Sequence, residues 1–257
     1  MLRRLRSTFR TTPKSKALLR QSFGFFLHGS GIEIGALHQP LALNGLPISR
    51  IQYVDRLTVD RLRQHYPELS GYKFVPVDVL DDGETLATFL DDSLDFIIAN
   101  HFIEHTRNPI GTIRNWLAKL RPDGVVYIAV PDYQRTFDSE RPLTTLGHLI
   151  EDDRVSQAEQ EKRDHEHYLE YARLVDKKAG DEVEYHVRRL IDASYSIHFH
   201  TFVASSFLEM LRYAQEHLAA PCEILAYATT PPGSDEFLVI LRKDMSHGEH
   251  GRPTRRC

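Results

Sequence analysis

Cysteine is nearly absent from these 257 residues: Cys222 and Cys257 are the only two. They supply neither a disulfide framework nor a zinc-ligand spacing, a usage that suits a reducing cytosol, so a cytoplasmic location is expected. No apolar run approaches the roughly 20 residues needed to span a bilayer, and no signal-peptide pattern opens the chain. An excess of positive charge is missing too. With 32 basic and 36 acidic side chains the net charge is -4, which argues against a general phosphate-binding surface and against nucleic acid as a partner. Neither the Gly-x-Gly-x-x-Gly loop of dinucleotide sites nor the Walker pattern occurs.

What is present is an ordinary globular composition, 41% hydrophobic and 26% charged, in a length that fits one α/β domain with an insertion. Arg3, Arg4, Arg6, Arg10, Lys14, Lys16 and Arg20 make residues 1–29 a basic arm or helix. A solvated arm is expected, with weak peripheral contact to anionic lipid as the alternative. The polar tail over 245–257 reads as disordered.

From 30 to 132, apolar β-branched runs alternate with amphipathic stretches, the pattern of parallel strands joined by crossover helices. Strands are expected over 32–34, 50–55, 73–78, 95–100 and 125–130. Ile110, Ile113, Leu117 and Leu120 recur at helical spacing between the last two, and Arg121-Pro122-Asp123-Gly124 supplies the turn. The strands are almost wholly apolar, as when helices cover both faces. Proline is absent from 143 to 220, and half of the residues from 151 to 190 are charged. This predicts a helical insertion over 133–195, well placed to act as a lid. A helix over 206–218 follows, with Ser206 and Glu209 at capping-box spacing. Strands over 223–228 and 236–242 are too close for a crossover and should be antiparallel neighbours, so 196–244 completes the same domain. The expected fold is α/β: a doubly wound, mostly parallel, seven-stranded, Rossmann-like sheet with an antiparallel terminal pair and a helical insertion.

Ligands of such sheets bind beyond the carboxyl ends of the strands. Gly35, Asp55, Asp78, Asn100, His101 and Asp132 fall at those ends. Asp55 follows Gly35 at the spacing, about 20 residues, that puts a carboxylate on ribose hydroxyls. The loop Gly35-Ala36-Leu37-His38-Gln39-Pro40 keeps only the first glycine, which suits a nucleoside without phosphates better than a dinucleotide. Asp55 and Asp78 also have a plainer reading as helix caps, and His105 and Trp116 read as structural.

Ile32-Glu33-Ile34-Gly35, Tyr53-Val54-Asp55, Val77-Asp78, the segment from Asp95 to His105 and Leu120-Arg121-Pro122-Asp123-Gly124 together resemble class I S-adenosylmethionine-dependent methyltransferases of the type 11-like group. The resemblance covers residues 30–132 in order. It implies S-adenosylmethionine as cofactor, with Glu33, Gly35, Ala36 and Leu37 under its methionine part. It further implies Asp55 on the ribose, Asp78 and the Val79 backbone at the adenine edge, and Asn100 and His101 beside the sulfonium. Leu37 departs from the family pattern by standing at the second glycine.

The histidines cluster in the sequence. His165 and His167 lie in the expected insertion, and His198 and His200 alternate along an extended segment. One of His101, His198 or His200 is expected to act as a base in the acceptor pocket. The resulting expectation is a methyltransferase acting on a small molecule or glycan, with O-methylation favoured and no metal. One alternative is a catalytically inactive member of the fold that only binds. The other is a metal-dependent hydrolase using His165, His167, His198 and His200, although His165 and His167 at i and i+2 do not face each other on a helix.

Overall fold

The computed structural model describes residues 14–217 and 222–244. Its strands are β1 (Gly29–Ile34), β2 (Ile48–Asp55), β3 (Val79–Leu80), β4 (Leu94–Asn100), β5 (Leu120–Pro131), β6 (Cys222–Ala228) and β7 (Glu236–Lys243). They form one sheet in the order β3-β2-β1-β4-β5-β7-β6. Pairings through β5 are parallel, whereas β7 is antiparallel to both β5 and β6. The α/β doubly wound sheet with an antiparallel terminal pair is therefore the observed fold. The strand order reverses between β1 and β4, which opens the crevice expected of such sheets.

The helices are α1 (Lys14–Gly24), α2 (Val59–His65), α3 (Pro109–Lys119), α4 (Leu146–Asp152), α5 (Gln157–Leu174), α6 (Glu182–Asp192) and α7 (Ala204–His217). Asn108 caps α3 by accepting from the Gly111 amide, and Pro109 opens its first turn, where no amide donor is needed. Ile110, Ile113, Trp116 and Leu117 then face the sheet fully buried beside Phe207, Met210 and Leu211 of α7. The opposite face packs Phe96, Ile98, Tyr127 and Ile240 against Leu19 and Phe23 of α1. Both faces being covered explains why the central strands carry almost no polar residue. The insertion has its own small core, in which Tyr168, Tyr171 and Ala172 of α5 meet Val183, Val187 and Leu190 of α6 and then Ile197 and Phe199.

Four features differ from the sequence expectation. The strand expected over 73–78 is replaced by the two-residue β3, since Pro76 has no amide to donate and Asp78 spends its side chain on the Tyr53 amide at 2.8 Å. Helix α7 starts at Ala204, and Ser206 Oγ bonds back to Val203 rather than capping with Glu209; Leu218 lies outside the described residues. The capping box is at Ser156 and Glu159, opening α5. Finally, the basic stretch is no loose arm from Lys14 onward. It forms α1, whose Lys16 and Arg20 reach the buried carboxylate of Glu236 at 2.9 and 2.6 Å. The four arginines from Arg3 to Arg10, the tail over 245–257 and Cys257 lie outside the described residues, while Cys222 is buried and unpaired. No helix of the described residues is long and apolar enough to cross a membrane.

Candidate active site

Two adjoining cavities of about 300 and 370 Å³ open at the carboxyl ends of β1, β2 and β4, and Gly35, Leu37, His101, His105, Tyr195 and Ser196 line both. The loop after β1 makes their shared floor. Gly35 turns with φ +63°, a conformation that costs glycine little, and Leu37 follows in the same left-handed region at φ +50°. Leu37 thus adopts the geometry that a glycine would favour there, at a cost of roughly 1–2 kcal/mol. The Leu37 carbonyl accepts from the Val75 amide at 2.8 Å, which holds the loop in place.

The first cavity collects acidic groups. Asp55 lies in its wall with Asp82, Gly83 and Glu84. Thr58, not Asp55, caps α2, so the helix-cap reading of Asp55 is replaced by a place in the cavity; burial raises its carboxyl above the ordinary range. Burial, then the neighbouring Asp82, pushes Glu84 up to about 7. Gly83 is required sterically: a Cβ there would fall 2.5 Å from the Phe102 ring and 2.6 Å from Ile34. Asp78 and Val79 are not in this wall, because Asp78 is taken up by β2. The turn after β3 brings Asp82 there instead, and the signal for it was the Asp81-Asp82-Gly83 turn sequence.

Glu33, expected beneath the cofactor, is fully buried under the floor loop. Its carboxylate accepts from the Leu41 amide at 2.9 Å and from Asn100 Nδ2 at 3.0 Å, so it fastens the loop from below. Burial pushes this carboxyl up to about 7. Asn100 is thereby turned so that its Oδ1 stays buried without a partner, at the edge of the second cavity.

The second cavity is lined by Ala36, His38, Phe137, Tyr171, His198 and the α1 side chains Lys16 and Arg20, among others. His101, at φ +50°, places Nε2 2.6 Å from Glu236 Oε2. Hydrogen bonds from His101 and Arg20 hold the Glu236 carboxyl far below the ordinary range despite its burial. His198 Nδ1 is 2.6 Å from Asp138 Oδ2, and Asp138 is in turn held by Arg141 at 2.8 Å. These contacts hold Asp138 below the ordinary range although burial acts against them. His198 Nε2 is 3.8 Å from Glu104 Oε1. Glu104 is buried with both carboxyl oxygens lacking hydrogen-bond partners, and burial raises its carboxyl well above the usual carboxylate range. Sequence reasoning missed Asp138, Tyr195 and Arg20, since each reaches the site through contacts with residues distant in sequence.

The histidine set expected to act together is divided. His198 joins the second cavity. His167 and His200 lie behind the cavities beside His148 and Asp152, so His200 is not in the acceptor space. His165 is on the surface, 3.3 Å from Glu184. A single cluster of His165, His167, His198 and His200, as a hydrolase would need, does not form.

The model of a methyltransferase domain family matches residues 9–215, and the chain belongs to that family, in keeping with its strand order and with the cavity at the sheet's switch point. Its cofactor is S-adenosylmethionine. No curated protein matches the chain. Similar solved structures include a chain of the complex that joins the Haloferax volcanii Trm112 methyltransferase activator to its methyltransferase candidate. That pair is 11% identical, with 89% of each chain covered and a TM-score of 0.49. The N-methyltransferase NodS from Bradyrhizobium japonicum, solved with S-adenosyl-L-homocysteine, is 11% identical over 93% of this chain and 91% of its own, with a TM-score of 0.48. The YcgJ protein of Bacillus subtilis is 12% identical over 88% and 96%, with a TM-score of 0.45.

The residues present fit this cofactor. The unpartnered, buried Asn100 Oδ1 offers an acceptor to an ammonium group, and the carboxylates of Asp55 and Asp82 suit hydroxyls and a cationic ligand.

Proposed function

We propose that this protein methylates a hydroxyl group of a small molecule or glycan held in the second cavity, with His198 as the base. The observation that carries the reading is His198, bonded to the buried Asp138 and standing in the wall of a cavity that adjoins, and shares its floor with, the cofactor side. Asp55 and Asp82 would hold the nucleoside end of S-adenosylmethionine, Asn100 and the loop over 35–37 its amino-acid end. When bound, the cofactor supplies an electrophilic methyl group on a sulfonium, so the protein's share of the work is alignment and proton removal.

In this role Asp138 would accept a hydrogen bond from Nδ1–H of His198, leaving Nε2 free to take the acceptor hydroxyl's proton. Phe137, Tyr171 and Tyr195 in the same wall supply flat apolar surface and phenol groups of the kind that pack against a sugar ring. The insertion, which supplies Tyr171 and Tyr195, would exclude water from the acceptor.

The reading is tested in two stages. Calorimetric titration with S-adenosyl-L-homocysteine, with NAD as control, is expected to give one-to-one binding in the micromolar range. A panel of hydroxylated and amine acceptors is then assayed for S-adenosyl-L-homocysteine release, with His198→Ala expected to lower turnover by a factor on the order of 100 or more. Binding without turnover on any acceptor would leave the binding-only member of the fold as the better description.

A further inference from the structure

Behind the cavities, where the insertion meets the segment leading into α7, four potential ligand groups converge: His148 and Asp152 from α4, His167 from α5, and His200. Their nearest nitrogen and oxygen atoms all lie within 4.8 Å of one another. His148 Nε2 is 3.2 Å from His167 Nε2 and 3.3 Å from Asp152 Oδ2, and His200 Nε2 is 3.8 Å from the same oxygen. Four ligands at zinc–nitrogen and zinc–oxygen distances occupy a tetrahedron with edges of about 3.4 Å. The group is thus close to the size of a zinc coordination shell before any ion is considered.

A second observation is independent of that spacing. The Asp152 side chain is fully buried, and its two oxygens are treated differently. Oδ1 accepts from Arg163 Nε at 2.5 Å, whereas Oδ2, the oxygen that faces the imidazoles, has no hydrogen-bond partner. His200, also fully buried, leaves Nδ1 without a partner and has only a 3.4 Å contact from Nε2 to the Arg107 carbonyl. Two buried polar side chains left short of partners in one place are costly, and a bound ion is among the few remedies. The surroundings are those of an ordered ligand set. Arg163 fixes the Asp152 carboxylate, and His167 has a backbone hydrogen bond to Phe199.

We propose that His148, Asp152, His167 and His200 bind one zinc ion that fastens the insertion to the segment carrying Phe199 and Phe202. Three imidazoles and a carboxylate suit zinc and disfavour calcium or magnesium, which take oxygen ligands. With four protein ligands the shell is closed, so the ion is structural and has no position for a hydrolytic water. Its effect would reach the cofactor side through the chain: Tyr168 follows His167, Phe199 precedes His200, and both line the first cavity. His148, with 35% of its side chain exposed, is the route of entry.

The test uses full-length protein prepared without a histidine tag. Elemental analysis is expected to find about one zinc per chain. Stripped protein should take up cobalt(II) with the intense visible absorption of a tetrahedral site, and should melt at a lower temperature than zinc-loaded protein. His148→Ala, the least buried ligand, is expected to weaken zinc binding at least about tenfold with the circular dichroism spectrum retained. His165→Ala, two residues from His167 but outside the group, is expected to bind zinc normally. Wild-type protein that carries little metal and shows neither cobalt absorption nor a zinc-dependent melting shift would overturn the proposal. So would zinc binding that survives His148→Ala and Asp152→Asn but is lost in His165→Ala.

Discussion

His198 Nδ1 and Asp138 Oδ2 stand 2.6 Å apart, joining the segment before α7 to the turn region after β5 across 60 residues of sequence. Asp138 does not line either cavity, so it acts by positioning His198. Asp138→Asn is therefore expected to lower turnover by about tenfold to a hundredfold while the affinity for S-adenosyl-L-homocysteine stays within about twofold. Its pH–rate profile should shift relative to the wild type, which purely structural damage would not produce. An unchanged turnover number with an identified acceptor would remove His198 from the base role.

Asp55 carries the second prediction. With Thr58 capping α2, the Asp55 carboxylate is not needed to start a helix. At the first cavity's rim it accepts from the Leu57 amide at 3.1 Å. Asp55→Ala should weaken S-adenosyl-L-homocysteine binding by about 10- to 100-fold, the range for hydrogen bonds to a charged group, with little change in melting temperature. Calorimetry with undiminished affinity would contradict the assignment.

Leu37 supports a prediction in the opposite direction. Its positive φ is strained and its side chain lines both cavities. Leu37→Gly is expected to tighten S-adenosyl-L-homocysteine binding several-fold by relieving the floor loop, whereas Leu37→Val, β-branched at the same φ, should weaken it. Binding curves for the three proteins check the order.

The fourth prediction concerns acid. Burial, with His198 nearby as the next cause, lowers the His105 imidazole to about 3, and its Nδ1 bonds the Ile197 carbonyl at 2.8 Å. The unfolded chain binds a proton near pH 6.5 that the folded form refuses. The stabilisation is thus complete above pH 6.5 and is lost as the pH falls from there towards 3. With 26% of the side chain exposed, the loss at pH 5 is about 1–2 kcal/mol. His105→Asn keeps a donor for Ile197 without the titration, so its melting temperature should fall less between pH 7 and pH 5 than that of the wild type.

The sheet was legible because its strands are apolar on both faces and its crossover helix has regular spacing. The short β3 was not, because Lys73 to Asp78 has strand-like composition and only Pro76 and the diversion of Asp78's side chain break the pairing. The site was half legible. Gly35, Asp55, Asn100 and His101 follow from their positions at strand ends, since the sheet alone places them. Asp138 and Arg20 come to the site through long-range packing of the insertion and of α1, for which local sequence has no marker. The histidine pairs were visible, but His-x-His spacing cannot tell which neighbour each ring meets. His148, in a helix of seven residues, groups with His200 and not with His198.

The pairing of Arg20 with Glu236 has a consequence for biosynthesis. The two residues are 216 positions apart, and β7, which carries Glu236, lies between β5 and β6 in the sheet. A nascent chain can form every parallel pairing of the sheet through β5 and still leave β5 as an open edge until β7 has been made. Helix α1 must wait for β7 before its cations find their partner. The closing steps of folding therefore follow the synthesis of β7, and chains stalled or truncated before it would be the aggregation-prone species.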